Sequence, residues 1–221
     1  MNDKQWSEVD NYLVSLLTPS DEALLSALAD SEAAGLPPIS VAPNQGKMLE
    51  LLARMCTAQR ILEIGTLGGY STISLARALP PIGKLITLEL EPAHARVARA
   101  NLDRAGLEEL VDIRVGPAAE SLRSMVADEE EPFDFIFIDA DKEGYPEYLE
   151  LSLALAHLGT VIVADNIVRD GQVANLDSTD ERVRGVRLFL ELAAADPRVS
   201  ATAIQTVGSK GYDGFALLLV V

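Results

Sequence analysis

The sequence predicts an α/β fold: a doubly wound, mostly parallel seven-stranded sheet with a C-terminal antiparallel hairpin and extra N-terminal helices. The first observation behind it is that five apolar runs, "RILEIG", "KLITLEL", "VDIRVG", "FDFIFID" and "TVIVADN", alternate with stretches of helical period. Such alternation builds a parallel sheet, because each parallel connection must cross over, usually through a helix. The second is size: 221 residues suffice for one sizeable core and are short for two. The third is the change of pattern after Asn166, where a polar loop and one helix lead into two strand-like runs joined by a Gly-rich turn.

Taken in order, residues from about 4 to 57 read as three helices broken by "TPS" and "GLPPIS", placed to pack on a 58–221 core as part of a single 1–221 domain. After the first strand, helices are predicted over Tyr70 to Leu79, Ala93 to Ala105, Ala118 to Ala127 and Tyr145 to His157, with Gly106 and Gly159 just past two of their ends. The loop "VRDGQVANLDSTDERVRG" precedes a helix to about Ala195, then "SATAIQTVG", the turn "SKGYDG" and "FALLLVV". No internal repeat or low-complexity tract interrupts this order.

Composition excludes several classes of partner. A formal net charge of −16 argues against nucleic acid or an anionic membrane surface, both of which need clustered Lys and Arg, and favours a small cationic ligand. The single cysteine, Cys56, precludes a disulfide framework within the chain and fits a reducing compartment. The start "MNDKQWSEVD" has no apolar signal region and no apolar stretch reaches about 18 residues, so the sequence reads as soluble and cytoplasmic.

In an open parallel sheet, ligands bind beyond the carboxyl ends of the strands, and the first strand-to-helix turn is the usual cofactor position. Here that turn is "LEIGTLGGYS", in which Gly65, Gly68 and Gly69 miss the G-x-G-x-x-G spacing that brings backbone to a pyrophosphate. A nicotinamide-dependent oxidoreductase is therefore the weaker reading. Glu63 lies close to the turn, which disfavours phosphate, and Glu89 ends the next strand where a carboxylate can accept bonds from ribose hydroxyls. A nucleoside without phosphates fits, and S-adenosylmethionine is one whose positive sulfonium suits a carboxylate-rich turn. The plainer reading, that Glu63 pairs with a neighbouring helix and the glycines only allow close packing, loses ground because Glu63 and Glu89 occur together.

The run "FIDADKEGY" ends an apolar strand on Asp139, Asp141, Lys142 and Glu143, and "TVIVADN" ends another on Asp165 and Asn166. Both tips reach the same sheet edge. Carboxylate and amide oxygens are hard ligands suited to Mg²⁺, Ca²⁺ or Mn²⁺, whereas the only histidines, His94 and His157, both fall in helix patterns, which argues against zinc. A lone Asp would more simply cap a helix, and a lone Lys142 would balance its acidic neighbours; convergence of three oxygen donors changes both readings.

In "EIGTLGGYS", "TLELEP", "VGPA", "FIDADKEGY" and "VADN", in that order, the chain resembles the cation-dependent, S-adenosylmethionine-dependent O-methyltransferases, the group of catechol and caffeoyl-CoA O-methyltransferases. The match runs from about "ISVAPNQGKML" to the C-terminus and implies a Rossmann-like sheet. Position by position, the resemblance implies Asp139, Asp165 and Asn166 as metal ligands and Lys142 as general base. It implies Glu63, Gly65, Thr66 and Ser71 on the methionine side of the cofactor, Glu89 at the ribose, Ala118 near the adenine, Val41 as a pocket wall, and Asp139 and Asp141 near the sulfonium. Ala140 and Asp141 stand where the animal catechol enzymes carry histidine and tryptophan, which places the chain nearer the plant and bacterial branch.

The implied activity is methyl transfer to one hydroxyl of a small vicinal dihydroxy aromatic substrate with a divalent cation, Mg²⁺ first. A phenol with a pKa near 10 is a poor nucleophile at neutral pH unless a cation stabilises its phenolate, which gives these residue types a reason to converge. A metal-independent methyltransferase on another acceptor and a non-catalytic nucleoside-binding protein are the alternatives. The acidic chain shows no basic patch for a CoA phosphate, so a CoA ester is not carried over. The resemblance also implies a homodimer, for which Trp6, Tyr12 and Leu13 offer apolar surface.

Overall fold

A computed structural model describes residues 3–18 and 21–221. Its strands are β1 (Arg60–Ile64), β2 (Lys84–Glu89), β3 (Val111–Val115), β4 (Phe133–Ile138), β5 (Ala156–Asp165), β6 (Val199–Gly208) and β7 (Gly211–Val220). They form one seven-stranded sheet in the order β3-β2-β1-β4-β5-β7-β6. The first five are parallel and β7 runs antiparallel to both β5 and β6, as the sequence pattern predicts. The helices are α1 (Asp3–Leu17), α2 (Glu22–Ala33), α3 (Pro43–Met55), α4 (Tyr70–Ala76), α5 (Pro92–Arg104), α6 (Ala118–Ala127), α7 (Tyr145–Ala154) and α8 (Glu181–Ala195). Of the predicted break "TPS", residues 19 and 20 lie outside the described residues.

The central strands are covered on both faces, which is why they read as continuous apolar runs, whereas β6 at the edge is exposed along most of its length. Ile61, Leu85, Phe135, Phe137 and Val163 pack on one face with Leu49 and Ala53 of α3 and Tyr70 and Leu75 of α4. Leu62, Ile86, Ile136, Ile138 and Ala164 pack on the other with Leu122 of α6, Leu149 of α7 and Phe189 of α8. Because successive strand side chains point to opposite faces, Glu63, Thr87, Glu89 and Asp165 share the α3–α4 face. Asp139 follows the same alternation, since its N–H continues the ladder to the Ile64 carbonyl at 2.9 Å.

Three boundaries differ from the sequence reading. Helix α4 stops at Ala76 rather than Leu79, giving way to tight turns in which Ala78 N–H bonds Leu75 O and Leu79 N–H bonds Ala76 O. Helix α7 stops at Ala154, and His157, placed in a helix by its apolar period, belongs to β5. There the β4–β5 register shifts between Phe133 and Phe135, and Thr160 Oγ1 holds the irregularity by donating to Phe133 O at 2.7 Å and accepting His157 N–H at 2.9 Å. The loop after β5 ends at Asp180, whose side chain accepts Arg182 N–H as the N-cap of α8, so Gly185 is a helical position and not a loop end.

The N-terminal helices reach the site edge of the sheet. Asp10 of α1 accepts the Ser209 N–H of the β6–β7 turn at 2.7 Å and the Asn44 side-chain amide of α3 at 3.0 Å. Among the described residues no helix is long and apolar enough to cross a membrane.

Candidate active site

At the first strand-to-helix turn, Gly65 has φ 103°, and a Cβ there would lie 2.2 Å from the Asp139 carbonyl oxygen. Only glycine lets the ends of β1 and β4 come this close. Behind the turn, the Glu63 carboxylate is wholly buried and accepts hydrogen bonds from Ser71 (2.6 Å), Thr72 (2.5 Å) and Thr87 (2.7 Å). Burial pushes its pKa up to about 7 against the opposing pull of those hydroxyls, with the Asp139 charge adding a little.

That rise has a consequence for stability. An acid whose folded-state pKa exceeds its unfolded value stabilises the fold below the unfolded value, and the contribution is lost as pH climbs toward the folded one. For Glu63 the window runs from the ordinary 4.5 to about 7, a loss of roughly 3 kcal/mol at about 1.4 kcal/mol per unit. Glu63→Gln should remove that slope, so the stability difference between variant and parent, measured by denaturant unfolding of the free enzyme, should change by that order between pH 5 and 8. Parallel curves would show that Glu63 does not titrate there.

Glu89 ends β2 with Oε2 accepting Thr66 N–H (3.2 Å) and Leu67 N–H (2.7 Å) and Oε1 accepting Glu91 N–H (2.9 Å). It therefore closes the turn that carries Thr66, and His94 Nδ1 of α5 stands 3.4 Å from the same Oε1. Ser71 lies in the first turn of α4, Ala118 opens α6 beyond the end of β3, and buried Val41 packs on the α3–α4 face beside Tyr70 and Leu49.

The second cluster stands at the ends of β4 and β5. Lys142, only 7% exposed, donates from Nζ to Asp139 Oδ1 at 2.9 Å and to the Tyr145 hydroxyl at 2.8 Å. The fully buried Tyr145 hydroxyl lies 3.0 Å from Ile138 O and 2.8 Å from Asp165 O. One phenolic proton serves those two carbonyls, so Lys142 is the donor toward Tyr145. Burial, followed by the charges of Asp139 and Asp165, pushes the Tyr145 hydroxyl well above its ordinary value and keeps it neutral.

Asp165 is 6% exposed and its pKa is raised by burial and then by the charge of Asp139, with the Gln45 side chain of α3 exerting a small opposite pull. Asn166 follows with φ 55°, a left-handed turn that re-aims the chain past the strand end and that asparagine tolerates well. Asp141 is exposed; its oxygens accept Tyr148 O–H at 2.6 Å and Gly144 N–H at 3.1 Å, capping the 3₁₀ turn Lys142–Gly144. Helix α8 supports that turn closely, since a Cβ at Gly185 would lie 2.2 Å from Lys142 O.

Among the described residues no group of three or more His, Cys, Asp or Glu is placed to hold a metal; the candidate set is two carboxylates and an amide. Two carboxylates at adjacent strand ends, with an amide beside them, make a hard-oxygen set that fits a divalent cation of the Mg²⁺ type. Sequence reasoning missed Tyr145, Gln45 and Gly185. Tyr145 had a faint signal, three residues after Lys142 on a helical turn, whereas Gln45 and Gly185 come from helices distant in sequence.

Residues 18–219 match the profile of a family described as O-methyltransferase. A catechol O-methyltransferase from Niastella koreensis is 52% identical over 220 residues, covering 100% of both chains. The crystal structure of an O-methyltransferase from Bacillus cereus in complex with SAH is 52% identical, covers 100% of both chains and superposes with a TM-score of 0.98. That of an O-methyltransferase from Streptomyces achromogenes, involved in tomaymycin synthesis and in complex with SAM, is 48% identical over 100% of this chain and 99% of that one, with a TM-score of 0.97. This chain belongs to the O-methyltransferase family.

Proposed function

We propose that this O-methyltransferase transfers a methyl group from S-adenosylmethionine to one hydroxyl of a small vicinal aromatic diol held at Asp139, Asp165 and Asn166. The observation that carries the reading is that Glu63, Glu89, Asp139 and Asp165 lie on one face of one sheet edge, with Lys142 turned in among them. The full-length relative named catechol O-methyltransferase and the SAH- and SAM-bound neighbours support it. A divalent cation bound by Asp139, Asp165 and Asn166 would stabilise the acceptor as its phenolate.

The chain's own residues do the rest. Glu63, with Ser71, Thr72 and Thr87, fixes the floor of the cofactor turn, and Glu89, flanked by His94, presents its carboxylate to a ribose hydroxyl. Val41 walls the pocket and Ala118 offers backbone beside the adenine; Asp139 and Asp141 bring negative charge toward the sulfonium. Lys142 takes the acceptor's proton. In its neutral form it has two N–H groups and one lone pair; Asp139 and Tyr145 receive the two N–H groups, and the Tyr145 proton is already directed to backbone carbonyls. The lone pair is thereby left for the acceptor hydroxyl. The acceptor oxygen bonds to the methyl carbon as the carbon–sulfur bond breaks, and the proton resides on Nζ.

The test is methyl transfer from labelled S-adenosylmethionine to catechols with Mg²⁺, with excess EDTA, and with Mg²⁺ restored. Transfer that EDTA abolishes and Mg²⁺ restores is the expected result. Transfer indifferent to EDTA would remove the cation and leave a metal-independent methyltransferase; no transfer in any arm would sink the catechol acceptor.

A further inference from the structure

Of the oxygen donors Asp139, Asp165 and Asn166, the first two are fixed by strand pairing and the last is not. Asp139 N–H continues the ladder to Ile64 O, and Asp165 pairs with Phe215 of β7 in register. Asn166 lies just past the ladder, in its left-handed turn at φ 55°. Carried on, the β5–β7 register would set Ile167 opposite Asp213. The turn at Asn166 breaks it, and Ile167 N–H reaches Gly214 O at 3.0 Å instead.

Breaking the ladder leaves the following N–H groups without strand partners, and backbone donors taken out of water must find others. One side chain receives both. Asp213 Oδ1 accepts Val168 N–H at 2.9 Å and Arg169 N–H at 3.0 Å, and its Oδ2 lies 3.8 Å from Arg169 Nη1. Strand alternation puts Asp213 on the face of Phe215 and the acids, and its backbone is paired with Thr206 of β6. Its neighbour Gly214 lets the corner come close, since a Cβ there would stand 2.7 Å from Val168 Cγ2. Arg169 and Asp170 also have positive φ, 55° and 54°, which residues other than glycine seldom adopt. Such a corner persists only where its surroundings over-determine it. The Asp213 carboxylate does so, together with buried Ile167 and Val168.

Resting on the reading of Asp139, Asp165 and Asn166 as cation ligands, we infer that Asp213 is a positioning residue for the cation site. It acts through Asn166: by holding the N–H groups that follow, it fixes the left-handed turn and with it the direction of the Asn166 side chain. A cation of the Mg²⁺ type demands near-ideal ligand geometry, so a ligand outside the ladder needs this second restraint. Supporting groups of this kind typically carry about 10–100-fold of a metal's affinity. The Glu63–Glu89 turn is held by its own hydrogen bonds, none of which involves Asp213, so cofactor affinity is independent of it.

The experiment measures Mn²⁺ affinity of the SAH-bound chain by electron paramagnetic resonance, and SAH affinity in EDTA by calorimetry, for the parent, Asp213→Asn, Asp213→Glu and Asp213→Ala. Asparagine keeps an oxygen able to accept both N–H groups and removes the charge, whereas glutamate keeps the charge and displaces the oxygen by one methylene. Asp213→Ala should weaken Mn²⁺ binding by about 10–100-fold and leave SAH binding within about two-fold. Asp213→Asn should stay within about three-fold of the parent for Mn²⁺, with Asp213→Glu between the two. If Asp213→Ala is poorly folded, the order of Asp213→Asn above Asp213→Glu carries the test. Parental Mn²⁺ affinity in a folded Asp213→Ala would overturn the inference. So would an Asp213→Asn weaker than Asp213→Glu, by making charge rather than hydrogen bonding the operative feature, or a loss of SAH affinity equal to that of Mn²⁺, by showing a sheet edge loosened as a whole. A parent that binds no Mn²⁺ would overturn the cation reading and this inference with it.

Discussion

Lys142→Met should retain a cooperative unfolding transition and ordinary cofactor affinity while kcat falls by about 10²–10⁴-fold, the usual contribution of a positioned acid or base. Methionine matches the length of the lysine stem and suits the buried slot beside Tyr145, where Nζ lies 4.7 Å from the ring centroid. The Tyr145 hydroxyl keeps both backbone carbonyls, so the ends of β4 and β5 stay tied without the amine. What is lost is the single nitrogen between Asp139 and Tyr145 able to receive the acceptor's proton. Calorimetric titration with SAH separates the roles: the hydrogen bonds of Lys142 go to Asp139 and Tyr145 and not to Glu63 or Glu89, so affinity should stay within about two-fold. A kcat within a few-fold of the parent would remove Lys142 as the base, and a loss of SAH affinity equal to the loss of rate would make its role one of cofactor binding.

The strand-end acids were legible because strand geometry is local. Period-two alternation puts Glu63, Glu89, Asp139 and Asp165 on one face once each apolar run is read as a strand, and parallel pairing brings their ends to one edge. The end of α7 was not legible, because "LSLALAHLG" keeps a helical apolar period through the true stop, and only the β4–β5 pairing with its shifted register draws Ala156–Gly159 into the strand. The same limit hid Gln45 and Gly185. Each reaches the site from a helix many residues away, through a contact that exists only after α3 and α8 have docked on the sheet. Asp141, expected near the sulfonium, also caps the Lys142–Gly144 turn, a local role that the sequence did not announce.

Gly185→Ala isolates one of these distant contacts. On helix propensity alone the change should stabilise α8 by about 1 kcal/mol. In place, however, the new methyl would meet Lys142 O at 2.2 Å, Lys142 C at 2.9 Å and Glu143 Cα at 3.0 Å. All three are backbone atoms of the turn that presents Lys142, the proposed base, so no side-chain rotation relieves the clash. Either α8 moves outward or the turn moves inward. Outward motion loosens Phe189, whose ring meets Tyr145 edge-on with centroids 5.6 Å apart, and so loosens the residue that holds Lys142. Inward motion displaces Lys142 itself. Overpacking of this kind costs about 1–3 kcal/mol, so the net effect on stability should be a modest loss despite the better helix former. The effect on rate should be larger, because a misplacement near 1 Å at a reacting group can cost about 10²-fold. The expected result is a melting point lowered by a few degrees, kcat reduced at least about ten-fold and SAH affinity unchanged. A variant that melts higher and turns over at the parental rate would show that α8 is free to shift, and that the position of Lys142 is set by Asp139 and Tyr145 alone.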